Sequence, residues 1–104
     1  MQVLDYALKS DEAPRLGLIV LQVDERIETD FRCLMPAEAE LFVSRVPSGL
    51  VVSPETLQQM DSHLPTAVSL LPQSRPYACV GFGCTSGTAQ IGASRVAALI
   101  NTRQ

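Results

Sequence analysis

Tyr77-Ala78-Cys79-Val80-Gly81-Phe82-Gly83-Cys84-Thr85-Ser86-Gly87-Thr88 sets an apolar run against a turn of small and hydroxylated residues. The run 77–82 suits a strand that is apolar on both faces. From about Gly87 to Ile100, Ala89, Ala93, Val96 and Ile100 recur on one helical face. The stretch therefore predicts strand, turn, helix, with Cys84 in the turn. Free backbone N–H groups and the positive end of a helix dipole favour thiolate over thiol at such a place. The small flanking residues let an anion approach the backbone closely. We expect a carboxylate-binding turn that carries a reactive cysteine.

Working outward, the same alternation recurs upstream. Leu16-Gly17-Leu18-Ile19-Val20-Leu21 is a continuous apolar run, the pattern of a strand buried on both faces in a parallel sheet. Asp24 can cap a helix in which Ile27, Phe31 and Leu34 or Met35 share a face, and Pro36 stops it. Glu40 to Val46 reads as a second strand closed by Pro47-Ser48-Gly49. Ser53-Pro54-Glu55 is a helix start with a cap, a first-turn proline and a carboxylate at the positive end. Leu57, Met60 and Leu64 form its inner stripe. Pro65 is expected to break or restart the helix, with Val68 and Leu71 continuing the apolar face. Residues 1–15 read as an N-terminal arm and 16–104 as a single domain. The order is βαβαβα, an α/β class fold of three layers on a small parallel sheet with right-handed crossovers. Ligands in such sheets bind beyond the carboxyl ends of the strands. Those ends are Gln22 to Glu25, Arg45 to Ser48, and Gly83 to Ser86.

Composition narrows the options. The chain has 104 residues, enough for one small domain, and 46% are hydrophobic, which is ordinary for a globular core. Eight basic and eleven acidic side chains give a net charge of −3, and no basic block argues for nucleic acid. The start lacks a basic n-region and a long apolar core, and no apolar stretch is long enough for a membrane helix. A soluble, cytoplasmic protein is expected. The three cysteines, Cys33, Cys79 and Cys84, are an odd count that suits free thiols. The Cys79-x4-Cys84 spacing does not match a zinc site, the single histidine, His63, lies elsewhere, and no metal is expected. A sheet of only three strands leaves an edge or a face to be covered, by a second copy in a homodimer or by a missing second half-domain.

The order strand, Cys84-Thr85-Ser86-Gly87-Thr88 turn, helix resembles the amino-terminal half of the aspartate/glutamate racemase superfamily, in the branch of maleate cis-trans isomerase and arylmalonate decarboxylase. Leu16 to Val20 and Ser44-Arg45-Val46-Pro47 carry the likeness further, over most of residues 16–100. The resemblance implies two similar α/β halves with one cysteine from each and the active site between them. Cys84 would be the catalytic cysteine of the first half, and Thr85 and Ser86 would hold a substrate carboxylate. Where relatives carry Pro-Ser-Ser-Asn, with the Asn on substrate, this chain has Leu21-Gln22-Val23-Asp24. That makes Gln22 and Asp24 the corresponding substrate-binding candidates and puts a carboxylate where relatives have an amide. The implied activity is a cofactor-independent isomerase or racemase acting on a small mono- or dicarboxylic acid, with no cofactor.

The residues also admit other readings. The same half could hold an acid or phosphate without turnover. Gly81-x-Gly83-x-x-x-Gly87 after a strand could belong to a dinucleotide-binding fragment. Arg45 at a strand end could steer a carboxylate or form a surface ion pair. Cys79, mid-strand, and Cys33, near the inner face of a short helix, read as small buried hydrophobes. His63 reads as a solvated side chain, and Glu25, Glu28 and Asp30 as a solvated helix face.

Overall fold

Strand β1 (Arg15–Leu21) pairs in parallel with β2 (Glu40–Val46) on one side and β3 (Cys79–Phe82) on the other, in the order β2-β1-β3. The structure is a computed structural model and describes residues 13–48 and 53–101. Four helices complete it: α1 (Ile27–Leu34), α2 (Pro54–Ser69), α3 (Thr85–Ile91) and α4 (Ala93–Asn101). None of the described helices is long and apolar enough to cross a membrane. The continuous apolar run of β1 follows from its central place, because side chains alternate between two covered faces. Leu18, Ile19 and Val20 are all buried. The register pairs Leu16 with Leu41 and Cys79, and Ile19 with Ser44 and Phe82.

One face holds most of the core. Ile19 and Val46 pack there with Leu57, Met60, Leu64 and Val68 of α2 and with Val96, Leu99 and Ile100 of α4. Among the described residues the other face carries α1 alone, which has no fully buried residue and leaves Leu34 83% exposed. The three-layer α/β arrangement expected from the sequence is present, with unequal outer layers.

Local chemistry explains the helix ends. Ser53 and Thr56 form a reciprocal capping box: Thr56 N–H donates to Ser53 Oγ at 3.2 Å, and Ser53 N–H donates to Thr56 Oγ1 at 2.8 Å. α2 then runs through Pro65 without a break. The proline removes one backbone donor, but Met60 and Leu64 before it and Ala67 and Val68 after it are buried in the same core. That shared anchorage holds both halves of the helix on one axis.

The last helix is divided where a single one was expected. α3 starts at Thr85, and Gly92 then takes φ +103°, which glycine adopts without the Cβ penalty of other residues. The turn of the chain at Gly92 leaves Ala89 and Ala93 exposed, while Val96 and Ile100 are buried. Cys79 and Cys33 are also exposed, not buried hydrophobes. Cys79 opens β3 on the lightly covered face, and Cys33 lies on α1, which buries nothing fully. His63 is exposed, as read from the sequence.

Arg15, taken from sequence as the end of an arm, is the first residue of β1 and only 4% exposed. The rest of that arm, residues 1–12, lies outside the described residues. The Arg15 guanidinium stacks on the rings of Phe42 and Tyr77, 4.7 Å from each centroid. It donates to the Arg75 carbonyl at 2.7 Å, with longer contacts of 3.4 Å to Pro72 O and Tyr77 Oη. Its Nε is buried and has no partner among the described residues. Burial pushes the Tyr77 phenol up, against the opposing pull of the Arg15 charge. Stacking and methylene packing therefore carry more of this contact than charge pairing does. Arg15→Met, which keeps the packed stem, should change stability by less than about 1 kcal/mol or improve it. Arg15→Ala, which opens a gap between the two rings, should cost about 3 kcal/mol. Urea unfolding of the two variants tests this, and equal losses for both would show that the hydrogen bonds dominate instead.

Candidate functional site

The strand order directs attention to the carboxyl ends of β1 and β3. β1 leads into α1 on one face of the sheet and β3 into α3, which packs beside α2 on the other, so the chains leaving β1 and β3 diverge at this rim. Gly83 N–H donates to Ile19 O at 2.7 Å and carries the pairing one residue past β3. Cys84 follows directly as the N-cap of α3, in extended backbone conformation. Its Sγ accepts a hydrogen bond from Gly87 N–H at 3.2 Å and occupies the role that a capping oxygen has elsewhere. A Cβ at Gly87 would lie 3.1 Å from Cys84 Sγ and 3.1 Å from Phe82 Cε2, so glycine here lets the N–H and the sulfur meet. At Gly83 a Cβ would come within 2.6 Å of Ile27 Cδ1, which lets α1 close over the turn.

Cys84 is half-buried and opens onto a shallow groove of about 590 Å³. Ile27, Phe82 and Ala89 supply apolar wall, and Thr85 and Thr88 supply hydroxyls. No described charged side chain lines it. Thr85 therefore shares the groove with Cys84, as the sequence placed it. Ser86 is exposed beside it and is not part of the lining. Thr88 was not singled out from sequence, although its position one turn after Cys84 puts it on the same face of α3.

Gln22, Asp24 and Arg45 come together at the neighbouring rim, where they hold the chain to itself. Gln22 Oε1 accepts from Ser48 N–H at 3.2 Å, and Gln22 N–H donates to Val46 O at 2.9 Å, tying the end of β1 to that of β2. Arg45 donates to the carbonyls of Leu21 at 2.9 Å and Asp24 at 2.7 Å and pairs with Glu28 at 3.5 Å. Asp24 Oδ1 accepts the N–H groups of Arg26 and Ile27, each at 2.9 Å, and so caps α1 from two residues before its formal N-cap. None of these three lines the groove beside Cys84.

Among the described residues, no group of three histidine, cysteine or acidic side chains is placed to hold a metal ion. Other concavities lie among the described residues, two of them away from this rim. An apolar cavity of about 310 Å³ lies between the sheet and α1, walled by Leu16, Leu18, Phe31, Met35 and Cys79. A smaller one of about 230 Å³ lies near Leu71, Arg75 and Tyr77, at the opposite end of the sheet from Cys84. Neither contains the hydroxyl and N–H groups that surround Cys84. Comparison of the chain with protein-family models, with curated proteins and with solved structures finds no match.

The Asp24 carboxyl is held below its ordinary value of 3.8 by the Ile27 N–H, then by the Arg26 N–H and the nearby Arg45 charge. The unfolded chain thus binds this proton more readily than the folded one. The stabilisation is complete above pH 3.8 and is lost as the pH falls through the lower folded-state value. Asp24→Ala should cost about 1 kcal/mol at neutral pH. In chemical unfolding measured from neutral to strongly acidic pH, the gap between variant and parent should close only below pH 3.8. A gap that does not change with pH would show that the charge is irrelevant to the cap.

Proposed function

We propose that this protein is a cofactor-independent isomerase of the racemase or cis-trans isomerase kind, acting on a small carboxylic acid through Cys84. One observation carries the reading: Cys84 Sγ accepts the Gly87 N–H at the carboxyl end of the parallel sheet and opens onto a groove that contains the Thr85 and Thr88 hydroxyls. The Gly87 N–H points at the sulfur, and a thiolate is the form of cysteine that acts as a base or nucleophile. Hydroxyl and amide donors beside it suit a carboxylate, and each donor that tightens as charge develops is worth roughly 3–4 kcal/mol.

Two chemistries fit one thiolate. As a base, Cys84 removes the proton next to the carboxylate, and the C–H bonding pair moves into an enediolate held by the donors. A racemase then needs a second acid on the opposite face. Neither Cys33 nor Cys79 lines this groove, so that acid would come from another chain or segment. As a nucleophile, Cys84 forms an S–C bond to one alkene carbon of an unsaturated acid, and the π pair moves towards the carboxylate. Rotation about the new single bond and return of that pair expel the thiolate and restore the double bond. This route closes with the single thiol that the groove contains. Among the described residues the lining has no charged side chain, and the Arg45 guanidinium is engaged by carbonyls and Glu28. Both favour an acid with one carboxylate and an apolar remainder over a dicarboxylate. The proposed setting is the cytoplasm, where free thiols persist.

The test is to follow small unsaturated and α-chiral acids by NMR with the parent protein, Cys84→Ser and Thr88→Val. The expected result is conversion that Cys84→Ser abolishes and Thr88→Val reduces about tenfold or more. Saturable binding of the acid with no conversion would replace the isomerase with a binding module. Conversion that survives Cys84→Ser would remove the mechanism.

A further inference from the structure

The two edges of the sheet differ in charge. β2, at one edge, carries Glu40 and Arg45. β3, at the other, carries none, and from Pro76 to Ser94 the chain has no charged residue at all. Edge strands that stay unpaired are usually protected by charge, proline or a bulge, because their free N–H and C=O groups invite another strand. Among the described residues no strand lies on the far side of β3. Beside that edge a groove of about 310 Å³ runs between Val80, Gly81 and Phe82 and the α4 residues Ala93, Val96, Ala97 and Ile100.

We propose that β3 pairs antiparallel with β3 of a second copy across a two-fold axis, giving a six-stranded sheet in the order β2-β1-β3-β3-β1-β2. A partner for this edge must be short and uncharged, since any charge would be buried against a neutral groove with no counter-ion. β3 itself meets that description, and a two-fold axis presents the same strand to each copy. Four residues of pairing are too little for a stable interface, which needs roughly 1,200–2,000 Å² in total. The axis that joins the two β3 edges also brings the two α4 helices side by side, where the exposed Ala93 and Ala97 allow close contact and supply further area. The pairing is independent of the chemistry at Cys84.

Light scattering over a concentration series should give twice the mass of one chain for the parent protein. Gly81→Lys should fold, because the space at Gly81 is open, and should set two like charges near each other across the axis. It should raise the dissociation constant about tenfold or more. Ala97→Glu, on the α4 surface, should act in the same direction. If either variant loses its helical circular dichroism, hydrogen exchange of the parent decides: the amides of Val80 to Phe82 should gain protection with concentration and those of β2 should not. A parent that is monomeric throughout, or a dimer that Gly81→Lys and Ala97→Glu leave unchanged with no concentration-dependent protection at β3, overturns the proposal.

Discussion

β1 is the only described strand with neighbours on both sides, and every inter-strand ladder in the sheet passes through it. Its seven residues fix the rest. On one face Ile19 anchors the core built by α2 and α4, and on the other Leu16 and Leu18 floor the cavity beneath α1. At its amino end Arg15 is locked between Phe42 and Tyr77. At its carboxyl end Ile19 O takes the Gly83 N–H, which sets Cys84 at the rim of the sheet. A parallel sheet brings all three carboxyl ends to one rim, so the candidate chemistry collects there as a consequence of pairing.

That rim divides its polar groups between two tasks. Gln22, Asp24 and Arg45 are engaged in holding the ends of β1 and β2 and the start of α1. Cys84, Thr85 and Thr88 face a groove that no described charged side chain lines. The division matters for the chemistry. Under the proposed reading, the N–H and hydroxyl dipoles are what this groove offers a carboxylate as charge develops on it.

Much of the fold was legible because it rests on local periodicity and punctuation. The apolar run of β1, the second strand at Glu40–Val46 and the Ser53-Pro54 helix start all coincide with the structure. The departures have physical causes outside any local window. Arg15 is buried by rings that are 27 and 62 positions away in the chain, so it read as the end of an arm and not as the first residue of a strand. Pro65 read as a break because its missing donor is local, while the core contacts that keep α2 straight are not. Gly92 takes a positive φ that a periodic pattern does not register, and Ala89 and Ala93 turned outward as a result. Cys79 looked like a core residue because its neighbours are apolar, but the cover on its face of the sheet is thin. At the site, the Cys84 turn was readable from its small residues. The engagement of Arg45 with three backbone carbonyls was not, since carbonyls leave no trace in side-chain pattern.

Under the proposed function, placement and not exposure would govern the reactivity of Cys84, and the chain contains its own controls. Cys33 and Cys79 are exposed and Cys84 is only half-exposed. The decisive measurement is competitive alkylation of the folded protein with limiting iodoacetamide at neutral pH, with each cysteine quantified by peptide mass spectrometry. Cys84 should be modified first, although it is the least accessible of the three, and this preference should vanish in urea. Modification in the order of exposure, with Cys84 last, would contradict it.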